Sequence, residues 1–176
     1  MKGDNMASDS DSPRDDAPLV GEAERALIGQ ELARNSGRVS RREFQRWAAA
    51  VGDRNPLYFD VDYARAAGYP DVIAPPMFVQ YVTQGVMDLE ALRVDGIPAA
   101  GGLPLPRCPK RMTGGEELVI HAPLFDGDEI TAVRTVENIE EKYGRSGRFV
   151  LVTSRVTYER RGETVAVNHS TMIARP

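Results

Sequence analysis

The chain has very little cysteine, histidine or lysine to work with. Its 176 residues include one cysteine, Cys108. That excludes an intrachain disulfide framework and a cysteine-built zinc site. There are two histidines, His121 and His169, too few for a His-rich metal site. No metal and no cofactor is therefore expected. A basic excess is also missing: Lys+Arg is 22 and Asp+Glu is 26, a formal net charge of -4. Nucleic-acid binders usually carry a basic excess or stripe, so no nucleic-acid partner is expected. No apolar run approaches the ~18 residues of a membrane span. Residues 1–18 lack the apolar core of a secretory signal. The expectation is a cytoplasmic protein with no membrane partner.

What remains is an ordinary globular balance, with 41% hydrophobic and 27% charged residues. A chain of this length fits one domain. It buries roughly 70% of its unfolded surface, enough for a core without staples. Residues 1–18 are rich in Asp and Ser and hold almost nothing large and apolar. They cannot offset chain entropy by burial and are expected to form a disordered acidic tail. Residues 19–176 are expected to form the domain.

Along the domain, Leu27, Ile28 and Leu32 fit either a short helix or the start of a strand. Ser40-Arg-Arg-Glu43 reads as a capping box, the serine side chain accepting from the Glu43 amide. Phe44, Trp47, Ala48 and Val51 then share one helical face, which predicts a helix over 41–51 with a buried stripe. Gly52 closes it. Residues 60–67 read as a short helix capped by Asp60. Pro75-Pro76 can set the first turn of another, and 77–92 is apolar on several sides, as in a buried helix. Residues 93–115 are rich in glycine and proline and read as a long loop. Four strands are then expected over 116–122, 129–140, 148–159 and 163–173, separated by turn signals at Asp126-Gly-Asp128, Gly144-Arg-Ser-Gly147 and Arg160-Arg-Gly-Glu163. Strands this close in sequence pair antiparallel. Helices followed by such a meander predict an α+β fold, an antiparallel sheet wrapped around a long central helix.

Two stretches carry a family resemblance. Gly52-Asp-Arg-Asn-Pro-Leu-Tyr-Phe-Asp-Val-Asp-Tyr-Ala64 and Ala67-Gly-Tyr-Pro-Asp-Val-Ile-Ala-Pro-Pro-Met77 resemble the signature of MaoC-like hydratases and dehydratases. Within that family they are similar to the N-terminal, fatty-acid-synthase-type (FAS1-like) dehydratase branch. The likeness continues through Gly114-Gly-Glu, Leu124-Phe-Asp-Gly-Asp128 and Gly144-Arg-Ser-Gly147, and covers roughly residues 27–174. It implies a single hot-dog domain and thioester chemistry: water added across an enoyl thioester, or removed from a 3-hydroxyacyl thioester. The acyl carrier would be coenzyme A or an acyl carrier protein. Negative charge develops on the thioester oxygen, so a site needs a proton-exchanging group and a hydrogen-bond donor. A helix N-terminus has unpaired amides. Pro75 and Pro76 have none to offer, so the donors would begin at Met77, with Phe78 beside it.

Catalytic members of the family carry Asp-x-Asn-Pro-x-His. Here Asp53, Asn55 and Pro56 match, and Tyr58 stands at the histidine position. An unperturbed tyrosine has a pKa near 10 and is a poor base at neutral pH. The resemblance implies that a tyrosine there marks a non-catalytic half, paired with a second hot-dog domain that has the intact motif. Plainer readings stay open: Asp53 caps a turn, Asn55 is a turn residue before proline, and Tyr58 packs. His121 and His169 lie outside the motif, both placed within strands. Arg107, Lys110 and Arg111 form a basic cluster suited to phosphates of coenzyme A or a carrier protein, or to plain solvation. Three functions follow. The chain is the substrate-binding half of a two-subunit hydratase or dehydratase, a self-sufficient homodimer using Asp53, or a non-catalytic acyl-coenzyme A-binding protein. In each case a homodimer or heterodimer is expected.

Overall fold

One strand follows the first short helix, and four more follow the last helix. In chain order the elements are α1 (Glu22–Arg25), β1 (Glu31–Arg38), α2 (Arg41–Ala50), α3 (Val61–Ala66), α4 (Phe78–Val82), β2 (Lys110–Ile120), β3 (Glu129–Gly144), β4 (Gly147–Arg160) and β5 (Glu163–Arg175). The computed structural model describes residues 17–85, 88–92, 94, 96 and 103–176. The expected tail thus falls outside the described residues, apart from Ala17 and Pro18.

The strands form one antiparallel sheet in the order β1-β3-β4-β5-β2. β5 buries Val165 to Asn168 in succession, whereas in β3 and β4 the buried residues alternate, as one face packing against the helices requires. In β4 these are Val150, Val152, Val156 and Tyr158. In β3 they are Ile130, Ala132, Val136 and Ile139, and the step of three after Val136 is a β-bulge between Val136 and Asn138. β1 decides the reading left open at Leu32, which lies in this strand. Its sequence Glu-Leu-Ala-Arg-Asn-Ser-Gly-Arg is polar, with no residue fully buried, because it lies at a sheet edge. The loop expected over 93–115 gives way to β2 at Lys110, and His121 lies just beyond the end of β2.

α2 matches its predicted span but not its predicted cap. Phe44 and Ala48 are fully buried, Trp47 is partly buried, and Val51 is 59% exposed. Phe44 and Trp47 both meet Phe78 edge-on, with ring centroids 6.1 and 6.3 Å away. Ser40 makes no side-chain cap. Instead the Arg41 amide donates to Asp126 Oδ1 at 2.8 Å, from the turn before β3. A carboxylate satisfies a helix N-terminus better than a hydroxyl, since it also meets the helix dipole.

The expected long central helix over 77–92 is a correction. α4 spans five residues, and a 3₁₀ turn covers Leu89–Ala91. Three features shorten it. The Thr83 hydroxyl bonds back to the carbonyls of Val79 and Gln80, which destabilises a helix locally. Gly85 follows soon after, and glycine costs about 1 kcal/mol in a helix interior. The Val82 carbonyl also abuts Gly37 of β1, where an added Cβ would overlap that oxygen.

Two apolar clusters fill the core. One joins Phe44, Tyr58, Ile73, Phe78, Ile130 and Val165. The other joins Leu19, Val20, Leu103, Leu105, Cys108 and Val150 at the opposite end of the sheet. Among the described residues no helix is long and apolar enough to cross a membrane.

Candidate functional site

The stretch after α2 folds around its own side chains. Gly52 takes a positive φ of 74°. Asp53 Oδ1 then accepts from the Asn55 amide at 3.1 Å, and Asn55 Oδ1 accepts from the Leu57 amide at 3.1 Å. These bonds hold the 3₁₀ turn Pro56–Tyr58. Asp53, Asn55 and Tyr58 are therefore brought together, with Asp53 and Asn55 half-buried and Tyr58 in the core. The Gln45 side chain on α2 donates to the Tyr58 carbonyl at 2.9 Å. Burial first, and the Asp53 charge second, push the Tyr58 phenol above its ordinary value, with a hydrogen bond to Asn55 opposing them. Tyr58 thus stays a neutral phenol at neutral pH. It can donate a hydrogen bond but does not act as a base.

The second motif leads from this turn to α4. The Ile73 amide donates to the Leu57 carbonyl and the Ala74 amide to the Leu124 carbonyl, which fixes the segment before Pro75-Pro76. The Phe78 amide is taken by the Pro75 carbonyl at 2.9 Å. The Met77 amide donates to no described residue, so Met77 is the donor this turn leaves over. Phe78 contributes its ring to the core. A cavity of about 220 Å³ lies here, lined by Ala74, Pro75, Pro76, Val79, Ile120 and His121 among others. Sequence reasoning set His121 aside as a strand residue. Only the end of β2 against the α4 turn brings it to this cavity. His169 lies elsewhere, its Nδ1 3.1 Å from Glu137 Oε2.

The basic cluster sits at the far end of β2. Lys110 and Ile120 are ten positions apart, about 33 Å at 3.3 Å per residue. Arg107 donates to the Pro18 carbonyl at 3.1 Å, Lys110 to the Pro176 carbonyl at 3.0 Å and Arg111 to the Leu103 carbonyl at 2.5 Å. Among the described residues no group of three or more His, Cys, Asp and Glu could hold a metal ion.

One polar cluster had no sequence signal. Glu116 Oε1 on β2 accepts from Gln80 Nε2 of α4 at 2.7 Å and from Asn168 Nδ2 of β5 at 2.6 Å. Tyr158 of β4 lies beside them, its phenol pushed up to about 12 by burial and then by the Glu116 charge. The cluster joins residues from positions 80 to 168, so only the sheet assembles it.

A short helix set against a five-stranded antiparallel sheet, with the Asp53 turn feeding its N-terminus, defines a hot-dog domain of the dehydratase type. The model of the "FAS1-like, dehydratase domain region" matches residues 26–168. The chain belongs to that family. It is 34% identical to a "UPF0336 protein" from Saccharopolyspora erythraea, over 86% of this chain and 91% of the relative. It is 33% identical to a "probable enoyl-CoA hydratase alpha subunit" from Thermomonospora curvata, over 80% of this chain and 47% of that longer protein. In fold it is similar to a chain of the ChsH1-ChsH2 complex from Mycobacterium tuberculosis, with a TM-score of 0.74, 23% identity, and 88% and 89% of the two chains covered.

Proposed function

We propose that this chain is the thioester-binding, non-catalytic half of an enoyl-thioester hydratase or 3-hydroxyacyl-thioester dehydratase. Its substrate would be an acyl-coenzyme A or acyl carrier protein thioester. Its partner would be a second hot-dog subunit with an intact Asp and His. The observation that carries this reading is Tyr58, a buried phenol with a raised pKa beside Asp53, where catalytic relatives have histidine. A group that exchanges protons near neutrality typically contributes about 10²–10⁴-fold, so its loss leaves only weak turnover. The relative named as a hydratase alpha subunit is consistent with a partnered role.

The edge of β2, which pairs only with β5 among the described residues, suits that partnership. It is a long strand with exposed Met112, Val119 and Ile120, and edges of this kind need covering. Antiparallel pairing of β2 with a β2-like edge would bring the partner's basic end toward this chain's Ile120 end. In a homodimer, Arg107, Lys110 and Arg111 would then serve the phosphates of a thioester bound across the interface.

His121 favours a second reading, the self-sufficient homodimer. It places an imidazole, the side chain most suited to proton exchange near neutral pH, at the cavity beside Pro75 and Pro76. Assay of the purified chain against crotonyl-coenzyme A and longer enoyl thioesters separates the two. The non-catalytic reading expects little or no hydration. Robust turnover abolished by Asp53→Ala or His121→Ala overturns it in favour of the homodimeric enzyme.

A further inference from the structure

The outer side of α2 carries arginines that the fold does not use. A shallow, open groove runs along it, lined by Arg41, Arg42, Gln45, Arg46 and Asp126 among others. Two of its charges are engaged. Arg41 pairs with Asp71, and Asp126 accepts from the Arg41 amide. Arg42 and Arg46 are exposed, and neither makes a hydrogen bond or an ion pair among the described residues. They stand four positions apart, neighbours on one helical face, where like charges repel and weaken a helix. The pair therefore does nothing for the stability of α2.

This face is tied to both signature stretches. Gln45 donates to the Tyr58 carbonyl at 2.9 Å, and Asp71, the partner of Arg41, lies in the segment leading to Met77. At a rise of 1.5 Å per residue, Arg46 and Arg42 lie about 6 and 12 Å along the helix from Ala50, which comes two residues before Gly52 opens the Asp53 turn. The chain as a whole carries a net charge of -4, so a cationic face is a local exception. It would draw a negatively charged partner to this side of the molecule. The groove offers guanidinium groups but no aromatic or large apolar side chain. It therefore has nothing on which a nucleotide base could stack. An open helix face of this kind fits the carboxylates of an acidic protein surface.

We propose that this face of α2 is a docking surface for an acyl carrier protein, whose carboxylates meet Arg42 and Arg46 while its thioester reaches the Met77 amide. The inference rests on the thioester reading and names the carrier, a protein rather than coenzyme A.

Calorimetric titration of the full chain, together with any partner subunit that co-purifies, tests this with octanoyl-acyl carrier protein and octanoyl-coenzyme A. The native chain should bind the carrier protein more tightly. Raising the ionic strength from about 0.1 to about 1 M, which shortens the Debye length from about 10 to about 3 Å, should weaken that binding. Arg42→Glu combined with Arg46→Glu should weaken carrier-protein binding by about tenfold or more and leave octanoyl-coenzyme A binding unchanged. The pair Arg42→Gln and Arg46→Gln removes the charges without reversing them. It should show a smaller loss of the same kind, and it serves if charge reversal disturbs α2. Carrier-protein binding that is no tighter than coenzyme A binding in the native chain overturns this inference alone. So does carrier-protein binding that both double variants retain, or an equal loss for the two thioesters. Binding of neither thioester by the native protein overturns the thioester reading and this inference with it.

Discussion

Glu141 and Arg148 face each other across the end of the β3–β4 hairpin and together hold the start of the domain. Arg148 Nε donates to Glu141 Oε1 at 2.6 Å, while the Leu19 amide donates to Glu141 Oε2 at 2.9 Å. Arg148 also donates to the Ala17 carbonyl at 2.8 Å. The pair is largely enclosed, with side-chain exposures of 18% for Arg148 and 17% for Glu141.

This arrangement makes stability depend on acid. Burial alone would raise the Glu141 pKa, but the Leu19 amide and then Arg148 outweigh it, and the net shift is downward. A carboxyl depressed in the folded state stabilises above its unfolded value, about 4.3 for glutamate, and loses that contribution as pH falls through the folded value. Glu141→Gln should therefore cost roughly 1–3 kcal/mol at pH 7, the range for charge-assisted bonds. The deficit relative to the native chain should shrink as pH falls below the ordinary carboxylate range. Denaturant titrations of both proteins at neutral and acid pH check it, and a deficit independent of pH would contradict it.

Shortening the N-terminus should show a sharp boundary. Residues 1–16 hold almost nothing large and apolar, so removing them should change stability by no more than about 0.5 kcal/mol. Removing 1–20 also takes out Leu19 and Val20, which are 5% and 1% exposed. Each buried side chain is worth roughly 1.5–3 kcal/mol. The two melting curves should differ clearly, and coincident curves would show that the Leu19 contact contributes nothing.

On α2 the larger effect belongs to Phe44 rather than Trp47. Phe44 is fully buried against Phe78, so Phe44→Ala should cost roughly 3–5 kcal/mol. Trp47 keeps part of its ring in solvent, and Trp47→Ala should cost less. The sequence pattern alone ranks them together. Equilibrium unfolding of the two variants decides the order.

Gly37→Ala should disturb α4 from the opposite strand. The new methyl would overlap the Val82 carbonyl, a backbone atom that cannot rotate away. Overpacking of this sort costs about 1–3 kcal/mol. The expected readout is lower stability together with faster amide exchange in residues 78–82. Unchanged exchange there would place the tight contact elsewhere.

Local chemistry was readable in the residues: the span of α2, the Asp60-capped turn of α3, the turns between the last strands and the α+β class. Each depends on neighbours within a few positions, through period, capping or φ preference. The same holds for the Asp53-Asn55-Tyr58 turn, whose bonds join residues two apart. Tertiary structure decided what sequence proximity does not encode. Asp126, from the turn before β3, meets the Arg41 amide at the start of α2, while the Glu43 amide expected to bond the Ser40 side chain goes to the Ser40 carbonyl instead. β1 became a strand although its own pattern is polar, because β3 supplied the hydrogen bonds. α4 ended early where β1 and Thr83 met it. His121 reached the Pro75-Pro76 cavity, and Gln80, Glu116 and Asn168 met in one cleft, only because antiparallel registry sets distant positions side by side.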